Sequence, residues 1–127
     1  MLRFQIIGET PSKKNNKIMT RTGKLIPSKT HEKWHSDALL QLTGQITRQA
    51  LKKPIEAPVS VDVAFYHGDL RRRDSDNQVS SLMDILQDSG VLSDDRWEIV
   101  RSIHVNNFYD KNNARCIIEI KELGGEL

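Results

Sequence analysis

Between residues 59 and 65 the chain alternates strictly, Val59, Val61, Val63 and Phe65 being separated by Ser60, Asp62 and Ala64. Side chains two apart share one side of a strand, so this segment is a half-buried strand with one apolar face. On either side of it the apolar period is helical. Trp34, Ala38, Leu39, Leu42, Ile46 and Ala50 predict an amphipathic helix over 30–51, capped by Ser28 or Thr30 and ending before Pro54. Val79, Leu82, Met83 and Leu86 mark a second helix that starts at or near Asp76 and ends at Gly90, a residue suited to the C′ position.

Residues 3–9 suggest a short strand closed by Thr10-Pro11-Ser12, because proline has no N–H for a ladder. The polar, basic stretch 13–24 reads as a loop, and Lys24-Leu25-Ile26 as a brief strand. Residues 98–108 and 114–123 look like two strands joined by Tyr109-Asp110-Lys111-Asn112-Asn113, an antiparallel hairpin with Ala114, Cys116, Ile118 and Ile120 facing the core. There is no repeat, low-complexity tract or linker. A chain of 127 residues suffices for one hydrophobic core, so the expectation is one α+β domain over residues 1–127, a mixed or antiparallel sheet with two main helices.

No apolar run approaches the roughly 18 residues of a membrane helix. The first 20 residues lack the features of a secretory signal, and the lone Cys116 excludes an internal disulfide or a cysteine-rich zinc site. A cytoplasmic protein away from the membrane is the expectation. The net charge of +2 conceals segregation: residues 1–33 carry eight Lys/Arg against Glu9 and Glu32. Asp74, Asp76, Asp84, Asp88, Asp94, Asp95 and Glu98 then gather acid just after Arg71-Arg72-Arg73. Basic segments beside a carboxylate cluster suit a metal-dependent nuclease, since carboxylates repel phosphate unless cations intervene. The alternative is an ordinary solvated surface.

The most informative stretch is Arg71-Arg72-Arg73-Asp74-Ser75-Asp76-Asn77, followed by a helix and then Gly90-Val91-Leu92-Ser93-Asp94-Asp95. In extended chain Asp74 and Asp76 point to one side, about 6.6 Å apart, and can converge on a hard cation. Asp94 or Asp95 could add a third carboxylate. The competing reading is that acidic residues at a helix start merely cap it and favour its dipole. As a whole, the pattern resembles the RusA family of Holliday-junction resolvases, in which Arg-Arg-Asp-x-Asp-Asn opens a helix and a Gly-containing turn leads to an Asp-Asp pair. The segment Pro11-Ser12-Lys13-Lys14-Asn15-Asn16 resembles the family's amino-terminal region as well. The resemblance implies a Mg²⁺-dependent crossover junction endodeoxyribonuclease of DNA recombination and repair. It also implies that Asp74, Asp76 and Asp95 are the essential acids with Asp94 beside them at the metal, and that a homodimer makes paired nicks in branched, four-way DNA.

One position departs from that pattern. Four residues after the second aspartate, where some family members carry a lysine, this chain has Ser80. Lys13, Lys14 and Lys17 are candidates for the missing charge, and with Arg71, Arg72 and Arg73 they are the expected DNA-binding residues. The non-enzymatic alternative is a catalytically weakened junction-binding or architectural protein. A geometric difficulty accompanies the motif: a helix over 77–89 spans about 20 Å, while five steps from Gly90 to Asp95 return at most roughly 17 Å. Either the helix is shorter and its loop folds back, which is the slightly favoured expectation, or the third carboxylate comes from the partner subunit. His31-Glu32-Lys33-Trp34-His35 matches the His-Glu-x-x-His zinc pattern, with Glu56 as a distant third ligand, but surface histidines beside a core Trp34 are the simpler reading. His67 and His104 receive no role.

Overall fold

The alternating segment becomes a central strand. In the computed structural model, which describes residues 1–12 and 17–124, the elements are β1 (Leu2–Ile7), β2 (Lys17–Met19), β3 (Leu25–Pro27), α1 (Lys29–Arg48), β4 (Val59–His67), α2 (Ser75–Asp88), β5 (Val100–Tyr109) and β6 (Arg115–Glu122). Four strands form a mixed sheet in the order β1-β6-β4-β5, while β2 and β3 pair separately as an antiparallel ribbon. β6 runs antiparallel to both β1 and β4, and β4 runs parallel to β5. The expected single α+β domain with two main helices and a mixed sheet is what forms.

Register aligns the apolar residues in rows across the sheet. Phe4, Ile118 and Val63 form one row, and Ile6, Cys116 and Phe65 the next. All six are buried. Each large apolar side chain removed from water contributes about 1.5–3 kcal/mol, so these rows and the helices over them form the main cohesive element. α1 adds Trp34, Ala38 and Leu42, four residues apart on one face, and α2 adds Leu82, Met83, Ile85 and Leu86. Burial pushes the Cys116 thiol well above its ordinary range, which keeps it un-ionised inside the core.

Of the two expected caps for α1, Ser28 serves: its hydroxyl oxygen accepts the His31 N–H at 3.2 Å. α2 ends as its glycine predicts. Gly90 sits at φ 87°, its N–H bonds to the Gln87 carbonyl and the Val91 N–H to the Leu86 carbonyl, the pair of bonds that defines a Schellman motif.

Two expectations are corrected. Residues 17–19, read as part of a loop, form β2 against β3. The hairpin of the last two strands does not form, because β4 lies between β5 and β6. The connection instead crosses the end of β4, where the Asp110 N–H bonds to the His67 carbonyl and the Asn112 N–H to that of Gly68. A Cβ at Gly68 would lie 3.3 Å from Ala114, so a side chain there would crowd the crossing. A turn-rich pentapeptide suits a hairpin and a step over one strand equally. Only the two-sided demand of β4 for partners separates them.

The outer edge of β1 is closed without a strand. Gln41 and Gln45 on α1 and its C-cap Gln49 each accept a backbone N–H, from Ile7, Gln5 and Arg3 respectively, at 2.8, 2.7 and 3.2 Å. Their amide nitrogens donate back to the carbonyls of the same three residues. Four helical residues rise about 6 Å and two strand residues about 6.8 Å, so a glutamine every fourth position keeps step with every second residue of β1. Replacing Gln45 by Ala removes both bonds to Gln5 and should cost about 1–2 kcal/mol in a urea denaturation series. Changing all three to Ala exposes the edge and should produce self-association visible by light scattering.

Candidate active site

α2 begins after the loop that leaves the carboxyl end of β4. Asp74 stands at its N-cap with extended backbone (φ −103°, ψ 116°), yet its carboxylate makes no capping hydrogen bond. The backbone carbonyl of Asp74 receives the Asn77 and Gln78 N–H groups instead. Asp76 lies in the first helical turn, and both aspartates are exposed. Among the described residues neither carboxylate has a hydrogen-bond or ion-pair partner. Capping therefore does not account for Asp74. Two uncommitted acids at a helix N-terminus, where backbone N–H groups already favour negative charge, form an acceptor pair available to a cation or a proton.

Asp94 and Asp95 lie elsewhere. Their loop follows Leu92, which bridges to Ile55, and precedes β5. The Asp94 carboxylate accepts the Asp95 N–H at 2.7 Å and pairs with Arg96 at 3.3 Å; that backbone bond, then the Asp95 side chain and then Arg96, hold it below the usual carboxylate range. Asp95 is exposed, and its side chain interacts with the Asp94 carboxylate beside it. α2 keeps its full 14 residues, about 21 Å, so the expected shortening does not occur. The described residues contain no group of three or more His, Cys, Asp or Glu side chains able to hold a metal ion.

The three arginines divide in two. Arg73 turns inward, only 18% of its side chain exposed, and bonds Asp69 at 2.8 Å and Glu9 at 3.3 Å. It also donates to the Arg71 carbonyl. Asp69 accepts the Arg71 N–H and the Arg73 guanidinium, which lower its pKa in that order. Arg71, 84% exposed, and the exposed Arg72 point to solvent. They border a cleft of about 540 Å³ that also includes Pro11, Ser12, Asp74 and Gln78. Lys13 and Lys14 lie outside the described residues; they follow Ser12 directly in the chain, and Lys17 opens β2. Ser80 donates its hydroxyl to the Asp76 carbonyl at 3.1 Å, one turn further along α2.

Sequence reasoning missed the residues behind the aspartates. Glu9 accepts from His67 Nδ1 at 2.9 Å and from Gln78 Nε2 at 2.9 Å, besides its pairing with Arg73. His67 Nε2 meets the Asn107 side-chain oxygen at 2.9 Å, and Asn107 donates to the Ser75 hydroxyl at 2.9 Å. One signal was present: His67 continues the Val59–Phe65 alternation, a polar residue in an apolar column. Asn107 had none, because its register opposite Phe65 comes only from the pairing of β4 with β5. At the start of α1, His31 and His35 stack with ring centroids 6.3 Å apart, and His35 Nε2 pairs with Asp88 at 3.2 Å.

Comparison with known proteins decides the family. The family described as endodeoxyribonuclease RusA matches residues 8–121. This chain belongs to the RusA family. It is 28% identical over 109 residues to the crossover junction endodeoxyribonuclease RusA of Aquifex aeolicus (strain VF5), an alignment covering 86% of this chain and 82% of that protein. As a RusA-family member it is a nuclease, and the matched region takes in both aspartate pairs and the network behind the first.

Binding of DNA phosphates by Arg71 and Arg72 should appear in the salt dependence of affinity. Replacing both with Ala should flatten the slope of log affinity against log salt by about 0.9 for each phosphate no longer neutralised, measured by fluorescence anisotropy. Replacing Arg73 should mainly lower stability, because its removal leaves Glu9 and Asp69 without their shared cation.

Proposed function

We propose that this chain is a homodimeric, Mg²⁺-dependent, structure-selective endodeoxyribonuclease that resolves four-way DNA junctions by paired phosphodiester hydrolysis in recombination and repair. The observation that carries the reading is a pair of uncommitted carboxylates, Asp74 and Asp76, beside the solvent-facing Arg71 and Arg72. The name of the Aquifex relative supports the junction as substrate.

An all-carboxylate donor set suits a hard cation such as Mg²⁺. Within one chain, however, only Asp74 and Asp76 come from the same end of α2, and Asp94 and Asp95 follow its other end. The site is complete in a dimer that brings Asp95 of the partner subunit, with Asp94 beside it, to the Asp74–Asp76 pair. When bound there, the cation would supply activation of water and neutralisation of charge on the scissile phosphate. Arg71 and Arg72 hold the DNA backbone next to the acids, and the basic residues Lys13, Lys14 and Lys17 extend that grip. Two-fold symmetry places a second identical site for the second strand, which matches a reaction that cuts two strands.

The direct test is cleavage of a synthetic four-way junction, against a linear duplex, with Mg²⁺ or with EDTA. Wild type should cut the junction selectively and only with the metal, while Asp76→Asn binds it without cutting. Mixing Asp76→Asn with Asp95→Asn tests the shared site. Random exchange makes about half the dimers mixed, each with a single intact site, so nicking should return at about a quarter of the wild-type site number. No recovery after confirmed subunit exchange places all three acids in one subunit and refutes the shared arrangement.

A further inference from the structure

We propose that Glu9, His67 and Asn107 form a clamp that positions the Asp74–Asp76 pair, a role that rests on those aspartates being the catalytic acids. Glu9 lies just beyond β1, where Gly8 at φ 110° turns the chain over the sheet. Its half-buried carboxylate holds Arg73 on the amino side of Asp74 and Gln78 on the carboxyl side of Asp76. Gln78 is itself buried, and its amide nitrogen also donates to the Thr10 carbonyl at 2.7 Å. A second branch runs from Glu9 through His67 to Asn107 and ends at Ser75, the residue between the two aspartates. The segment is thus tied in front, in the middle and behind, and every tie leads back to one carboxylate.

This arrangement does what capping would otherwise do. The first turn of α2 lacks a side-chain cap, so its position must come from elsewhere, and a cap by Asp74 would consume an acid needed for chemistry. The clamp leaves both acids exposed and unpaired while fixing the backbone that carries them. Groups that orient a metal's ligands influence its affinity and the reaction rate without touching the substrate. Glu9, His67 and Asn107 are accordingly positioning residues.

The test compares wild type, Glu9→Gln and Asn107→Ala, with Asp74→Asn as the inactive reference and Gln45→Ala as a destabilised variant remote from the clamp. Amide hydrogen exchange over residues 70–80 should accelerate in the two clamp variants and not in Gln45→Ala. Cleavage at saturating junction should fall at least about tenfold in Glu9→Gln and less in Asn107→Ala, while junction affinity in EDTA stays within about twofold. The proposal is overturned if residues 70–80 exchange as in wild type, or if they exchange faster while cleavage is unaffected. Should Glu9→Gln fail to fold, Asn107→Ala decides, since it removes an exposed side chain. A wild-type protein that cuts no junction would refute the assignment of the aspartates instead, and the exchange data would still determine whether the clamp holds.

Discussion

Parallel pairing of β4 with β5 governs where the chemistry can be. A parallel pair joined through a helix needs a crossover, so the loop into α2 leaves from the carboxyl end of β4 and the loop out of it enters the amino end of β5. Asp74 and Asp76 belong to the first loop and Asp94 and Asp95 to the second. With His67 aligned to Tyr109 at one end and Val59 to Val100 at the other, the nine residues of β4 separate those ends by about 26 Å. Two acidic motifs close in sequence are therefore held apart by the hydrogen-bond pattern of two strands.

The same sheet explains why the polar clamp lies where it does. The apolar column of β4 ends at Phe65, and the next position on that face is His67. There the core gives way to a polar layer in which the Glu9 carboxylate takes donors from His67, Arg73 and the Gln78 amide nitrogen, while the buried Gln78 side-chain oxygen has no hydrogen-bond partner. Polar groups at that depth are costly unless bonded, so a single carboxylate serving several donors gives a fixed geometry. Fixed geometry under an exposed pair of acids is the condition an active site requires.

The sheet's two edges are handled differently. β1 is closed by two glutamines of α1 and a third at its C-cap, whereas the outer edge of β5 has no strand beside it among the described residues. β5 also buries only Val100 and leaves Ile103, Phe108 and Tyr109 exposed. The protection of β1 is invisible in hydropathy, since Gln41, Gln45 and Gln49 look like any polar helix face.

Local pattern determined a good deal. The alternation of 59–65, the helical periods of α1 and α2, the Ser28 cap and the Gly90 stop each follow from interactions within a few residues, and so were legible in the chain. The Arg-Asp-x-Asp and Asp-Asp motifs were legible for the same reason, as was the family they indicate. Tertiary structure alone decided which strands became neighbours, hence that residues 100–122 step over β4 instead of forming a hairpin. It also decided that Arg73 turns inward while Arg71 and Arg72 face solvent, and that Glu9 reaches His67 and Gln78 across 58 and 69 positions. Such pairings depend on register and topology, which are set by how all the apolar faces are buried together and not by any one segment.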